Sequence, residues 1–298
     1  MGSGNWDSSK WKSYASTRGI DNSRTVDEVY NTSSVKEKYL PYNVTRESCD
    51  SVEHPNSTPI AIGLDVTGSM GRIVHMVAKK LDTLISSIYE KNPVTDPQLM
   101  FAAIDDYFAT ETPLQVTQFE SDIRIAEQLT DLKFISHGGG NGFESYPLFW
   151  YFCAKHTKLD CENHGKKGFL FTMGDDGFPK SMDYMELKEV FGDCVDEGIT
   201  TEQLVEDVFE KYELFHFCLT EGGSYREIDY IEFQKLLGSH AIKVENYEYL
   251  PEIITSILEL YSGKTLSDIT SYMEEDCANS VIKALSHLEN SKDDIELF

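Results

Sequence analysis

The stretch "PIAIGLDVTGSMG", residues 59–71, constrains the fold of this chain more than any other. An uncharged, largely aliphatic run ends abruptly in an aspartate, two hydroxyls and glycines. A short continuous apolar run of this kind reads as a strand buried on both faces. "QLMFAAID" (98–105), "GFLFTMGDDG" (168–177), "ELFHFCLT" (213–220) and "HAIKVE" (240–245) repeat the theme, and "PLQVTQF" (113–119) predicts a short edge strand.

Helical spacing fills the intervals. In "IVHMVAKKLDTLISSIYE" (73–90), Val74, Val77, Leu81, Leu84 and Ile88 recur every three or four residues. "SDIRIAEQLTDL" (121–132) predicts a helix capped by Ser or Asp, and "FESYPLFWYFCAKHT" (143–157) a strongly apolar one. "TTEQLVEDVFEKY" (200–212) opens with a capping box, Thr200 to Gln203. "EIDYIEFQKLLG" (227–238) and "LPEIITSILELYSG" (250–263) complete the series. Apolar strands alternating with helices predict an α/β chain: a Rossmann-like, doubly wound, mostly parallel sheet flanked by helices over residues 58–263.

Two segments flank that domain. Residues 1–57 are polar and predict an extended arm, with at most short helices at Val26–Tyr30 and around Val35–Tyr39. Trp6, Trp11, Tyr39 and Tyr42 are candidates to dock it. Residues 264–298 predict an acidic amphipathic helix and tail, with Leu266, Ile269, Met273, Val281, Ile282, Leu285 and Leu288 as a partial apolar stripe. Within the domain, the acidic stretch at about 181–213 reads as a solvated helical insertion.

Charge narrows the ligand classes. The net charge is −25. Residues 1–57 carry 7 basic and 8 acidic side chains; the other 19 basic and 43 acidic residues lie beyond them. A field of that sign repels phosphate backbones and favours cations and basic protein surfaces. No run approaches the ~18 apolar residues of a membrane span. Six scattered cysteines and the absence of an apolar leader-like run predict a cytoplasmic protein with reduced thiols.

In open α/β sheets ligands bind beyond the carboxyl ends of the strands. Asp65, Asp105 and Asp175 each follow an apolar strand. Asp65, Thr67 and Ser69 form D-x-[S/T]-x-S, in which alternate side chains of one tight turn can aim at a point. Carboxylate and hydroxyl oxygens suit a hard cation such as Mg²⁺. "GGGNGFES" (138–145) and "MGDDG" (173–177) can add further oxygen ligands.

With those residues in hand, "GLDVTGSMG" (63–71) resembles the metal-ion-dependent adhesion site (MIDAS) loop of von Willebrand factor A (vWA) domains. The resemblance covers about residues 58–263. It implies that Thr67 and Ser69 ligate the metal directly, that Asp65 acts mainly through water, and that Asp175 supplies the aspartate after the fourth core strand, with Asp176 able to take that role. The second loop departs from the threonine form and is similar to G-G-G-D-x-P-E, placing Asn141 and Glu144 at the polar positions. Asp105 and Asp106 would hydrogen-bond the metal's waters. The implied cofactor is Mg²⁺, with Mn²⁺ or Ca²⁺ as alternatives. The implied function is a metal-dependent protein-binding module of bacterial or phage type that captures a partner's Asp or Glu. It would act as an adaptor or assembly factor, in some cases with a MoxR-type AAA+ ATPase. A metal-dependent hydrolase and a structural or virion component are the alternatives.

Weaker motifs point elsewhere. Cys153, His156, Cys161 and His164 have zinc-like spacing, yet Cys153 lies in the dense run "FWYFC". Ser69 as a nucleophile would need His75 or His137 as base, and neither has a visible orienting partner. An aspartyl phosphotransferase would need a carboxylate two residues after Asp65, where this chain has Thr67.

Overall fold

The computed structural model describes residues 4–20, 28, 34–70, 73, 76, 79–134 and 142–295, with backbone only at 69, 81, 82 and 290–295. The central sheet is built from β1 (Thr58–Asp65), β2 (Pro97–Ile104), β3 (Leu114–Val116), β4 (Gly168–Gly174), β5 (Tyr212–Leu219) and β6 (Ala241–Val244). Their spatial order is β6-β5-β4-β1-β2-β3; every neighbouring pair is parallel except β2 and β3. The helices are α1 (Ser8–Arg18), α2 (Leu81–Lys91), α3 (Arg124–Leu129), α4 (Tyr146–Lys155), α5 (Tyr184–Phe191), α6 (Thr201–Lys211), α7 (Glu227–Leu237), α8 (Leu250–Tyr261), α9 (Leu266–Thr270) and α10 (Glu275–Ile295). The fold is thus the expected doubly wound α/β arrangement, with the antiparallel edge strand at 114–116.

Each central strand divides its side chains between two cores, as the period of two requires. On one face Ile60, Ile62 and Leu64 of β1 join Leu99 and Phe101 of β2, Phe171 of β4 and Phe217 of β5, under α1, α2 and α8 to α10. On the other face Ala61, Met100, Leu170 and Leu214 meet α4 to α7. The second face of β1 carries small residues for a reason. A Cβ on Gly63 would lie 2.6 Å from the Phe149 ring, so α4, with Leu148, Phe149, Trp150 and Phe152 buried, can sit low on the sheet.

Three expectations need correction. Residues 184–211 are no solvated insertion: Leu187, Val190 and Phe191 of α5 and Leu204, Val205 and Val208 of α6 are buried in the second core, while most of the acidic residues face solvent. The Thr200–Gln203 capping box is present. The arm is not extended. Asp7 caps α1 by accepting from the Ser9 and Lys10 amides, and Gly19 closes it in the left-handed region (φ 73°). This helix lacks an apolar stripe and hangs on one buried residue, Trp11, which is why periodicity missed it. Near the expected 35–39 helix there is one 3-10 turn, Glu37–Tyr39. The Val26–Tyr30 expectation falls outside the described residues apart from residue 28. Trp11, Ile20 and Tyr39 belong to the first core, Tyr42 is exposed, and a strand at Arg46–Ser48 pairs in parallel with Thr157–Leu159.

The C-terminal segment forms two helices, not one, broken at residues 271–274. Leu266, Ile269, Val281, Leu285 and Leu288 pack into the first core, while Ile282 faces solvent. A buried carboxylate fastens this layer. Glu259 of α8 is fully buried; it accepts from Lys91 of α2 at 3.0 Å and Lys264 at 2.7 Å, and Tyr272 donates to both its oxygens. Glu259→Ala removes the acceptor shared by Lys91, Lys264 and Tyr272 and opens a cavity, while the exposed Lys264 and Tyr272 turn to water. We expect it to lower unfolding stability by about 2 kcal/mol, read by urea denaturation.

Candidate functional site

The strand order reverses between β1 and β4, so a crevice opens beyond their carboxyl ends. Asp65 is the last residue of β1, and Asp175 follows the last residue of β4. Asp65 continues the alternation of Ala61 and Gly63 and faces the α4 side. There the Tyr146 hydroxyl, at the first residue of α4, donates to Asp65 Oδ2 at 3.2 Å. The Thr67 amide (2.9 Å) and hydroxyl (2.7 Å) both donate to Oδ1. The Tyr146–Asp65 bond requires Gly174: any Cβ there would overlap the tyrosine hydroxyl and lie 2.9 Å from Asp65 Oδ2.

Glu144 enters from the second loop. Its amide donates to the Gly177 carbonyl at 3.0 Å, and a parallel bridge joins Phe143 to Gly177. Its side chain is 4% exposed, and its Oε2 is buried with no hydrogen-bond partner among the described residues. Asp175 accepts from the Ser224 amide at 2.8 Å, an approach that needs Gly222, where a Cβ would overlap the aspartate. Asp105 and Asp106 are buried after β2. Asp105 accepts from the Asp106 amide (2.8 Å) and Asp106 from the Phe108 amide (2.9 Å), while the Tyr107 amide donates to Ser145 Oγ (3.0 Å).

Electrostatics tie these groups together. Burial raises the Asp65 carboxyl above the ordinary range, against the lowering effect of the Thr67 bonds, and Asp175 raises it further. Burial likewise raises Glu144, reinforced by Asp65, Asp105, Asp106 and Asp176. Asp176 is raised by burial and by Asp175. Arg226 acts on Asp176, but its guanidinium is held by Asp229 (2.6 and 3.0 Å) and the Gly142 carbonyl (2.9 Å).

Asp65 and Thr67 are thus hydrogen-bonded, Asp175 acts on Asp65 electrostatically, and Asp65, Asp105, Asp106 and Asp176 act on Glu144. Gly68–Met70 is a 3-10 turn, but the Ser69 side chain and Asn141 lie outside the described residues. Among the described residues no group of three or more His, Cys, Asp or Glu forms a ready-made metal cluster. Asp65, Glu144 and Asp175, the three carboxylates of the set read from the sequence, thus do not form such a cluster by themselves. Tyr146, Ser145, Ser224 and the two close-approach glycines escaped the sequence reading. Only the polar pair opening an otherwise apolar helix hinted at the first two. The zinc-like motif is dispersed: Cys153 and Cys161 are buried, His156 Nε2 pairs with Asp193 (2.9 Å) and His164 Nε2 with Asp50 (2.7 Å).

Beneath Tyr146 lies His216 of β5, fully buried. Its ring stacks on Phe233 at 3.7 Å and meets Tyr146 edge-on at 4.7 Å. Nδ1 lies 3.0 Å from Thr172 Oγ1, which also accepts from Trp150 Nε1 at 3.3 Å. Burial pushes its pKa down from 6.5 to about 3. A depressed folded value means stability present above the unfolded pKa and lost as pH falls through the folded one. His216→Phe keeps the ring stack and removes the titration. From pH 6.5 towards 3 the native chain should lose up to about 1.4 kcal/mol per pH unit more than this variant, measured by denaturant unfolding.

No family model matches the chain, and no curated protein matches it. Among solved structures it is similar to the pilus adhesin SpaC from Lactobacillus rhamnosus GG in its open conformation, at 11% identity and a TM-score of 0.46, covering 78% of this chain and 31% of that one. A second structure of that adhesin aligns at 12% identity and 0.45, covering 76% and 32%. Proximal thread matrix protein 1 from the mussel byssus aligns at 10% identity and 0.45, covering 71% and 48%. The chain thus spans a third to a half of the length of these structures.

Proposed function

We propose that the acidic crevice holds a divalent cation, Mg²⁺ in the first instance, and that through it the chain captures an Asp or Glu side chain of a protein partner. The observation that carries this reading is the Glu144 carboxylate. It is buried, its Oε2 lacks a hydrogen-bond partner among the described residues, and it is crowded by Asp65, Asp105, Asp106 and Asp176. A buried carboxylate with an oxygen left without hydrogen bonds stays ionised only beside a counter-charge; otherwise it keeps its proton. Oxygen donors in this number fit a hard cation.

Thr67, Glu144 and Asp175 are the residues that would hold the ion, with Ser69 and Asn141 as the further candidates. Asp65 would act mainly through water, its position fixed by Thr67 and Tyr146. When bound, the ion would supply an open coordination position for a carboxylate oxygen. Asp105 and Asp106 would orient water around it, and Asp176 stands as the alternative to Asp175. The vWA-like reading of residues 58–263 fits the strand order and the position of the crevice. An adaptor or assembly role, including one beside an AAA+ ATPase, follows from that reading and stands as part of the proposal.

Isothermal titration with MgCl₂ after EDTA treatment tests it. The native chain should bind one ion, and Asp65→Ala and Glu144→Gln should weaken binding at least about 10-fold while leaving the fold intact by circular dichroism. Tyr146→Phe should weaken binding by a smaller factor, because it loosens Asp65 without removing an oxygen from the ion. Absence of any Mg²⁺, Mn²⁺ or Ca²⁺ binding by the folded native chain would sink the reading and leave the cluster as protonated carboxyls.

A further inference from the structure

The chain that leaves β2 through Asp105 and Asp106 continues directly into Tyr107 and Phe108. These two rings, with Tyr42 and Pro113, line a cavity of about 580 Å³. Its wall is fixed to the acidic crevice, because the Tyr107 amide donates to the hydroxyl of Ser145, the neighbour of Glu144. The Tyr107 and Phe108 rings stand nearly perpendicular, at 81° with centroids 5.3 Å apart. Phe108 is 75% exposed and Tyr42 52%, an unusual display of aromatic surface. The charged residues of the lining are Glu111 and Glu189; among the described residues it contains no lysine or arginine. Glu189 Oε2 accepts from the Tyr107 hydroxyl at 2.6 Å, which places a carboxylate at the edge of the aromatic wall.

Aromatic faces attract cations through the ring quadrupole, and a carboxylate at the rim adds charge complementarity. We propose that this cavity takes a lysine or arginine side chain of a protein partner, flanked by apolar or proline residues that lie along Tyr42 and Pro113. That the same partner segment also delivers an acidic side chain to the neighbouring crevice rests on the reading given above; the cation preference of the cavity does not. The pairing makes the chain a reader of adjacent opposite charges. The crevice admits an acid only with its ion, and the cavity admits a base without one.

The test uses the full chain in EDTA and the capped pentapeptide acetyl-Ala-Pro-Arg-Pro-Ala-amide, followed by NMR of the tyrosine and phenylalanine ring signals. Saturable shifts are expected, with the citrulline analogue at least about 10-fold weaker and the glutamate analogue inert. Phe108→Ala combined with Glu189→Gln, both at exposed positions, should weaken the arginine peptide about 10-fold with an unchanged circular dichroism spectrum. Asp65→Ala should leave peptide binding as it was, so loss of metal binding and loss of cation binding are separate results. Equal binding of the citrulline or glutamate peptide, or no saturable shift with arginine, would overturn the proposal.

Discussion

Asp65 ends β1 with its carboxylate fully buried between Thr67 and Tyr146, and much of the molecule is shaped around that burial. An ionised carboxylate in such a place needs either dense hydrogen bonding or a counter-charge. The chain supplies the first through the Thr67 turn and the α4 tyrosine. It then adds Glu144, Asp175 and the Asp105–Asp106 pair nearby, which makes the second more urgent. Gly174 and Gly222 are small because their neighbours must come close: a methyl group at the first would displace Tyr146, and at the second Asp175. Small residues on the second face of β1 serve the same end at longer range, letting the aromatic α4 lie low enough for its first turn to reach the strand end.

The parallel sheet was legible because its strands are buried on both faces, so Ile60 to Leu64 and Phe169 to Met173 read as apolar runs with no polar alternation. The strand-end aspartates were legible because a buried strand seldom finishes in a charge unless the fold gives that charge a task there. What escaped notice depends on tertiary packing. Helix α1 has no apolar stripe, and its signal lay in its caps, Asp7 and Gly19. The 184–211 segment looked solvated because its many acidic residues mask the apolar positions that face the second core. Tyr146 looked like one more core aromatic; only its place at the start of α4, opposite Asp65, gives its hydroxyl a role. Nothing in the linear order announces that Ser224, far along the chain, presents its amide to Asp175.

Two layers of the molecule meet different electrostatic needs. On the first face the buried Glu259 carboxylate accepts from two lysines and a tyrosine that reach in from the surface. On the carboxyl edge of the sheet the carboxylates gather around hydroxyl and amide donors instead, and the neighbouring guanidinium of Arg226 is already engaged by Asp229. The first cluster carries its own cations; the second is held by hydroxyl and amide donors.

The docked N-terminal helix has a consequence of its own. Trp11, Ile20 and Tyr39 sit inside the first core alongside residues of the sheet and of α2. The 46–48 strand covers the free edge of 157–159. A version trimmed to begin at residue 58 would keep every strand of the central sheet, yet it would bare an oily hollow and an unpaired strand edge at once. Such a fragment would be expected to self-associate or to recruit whatever apolar segment first fills the gap, so the arm works as a built-in stopper for the domain.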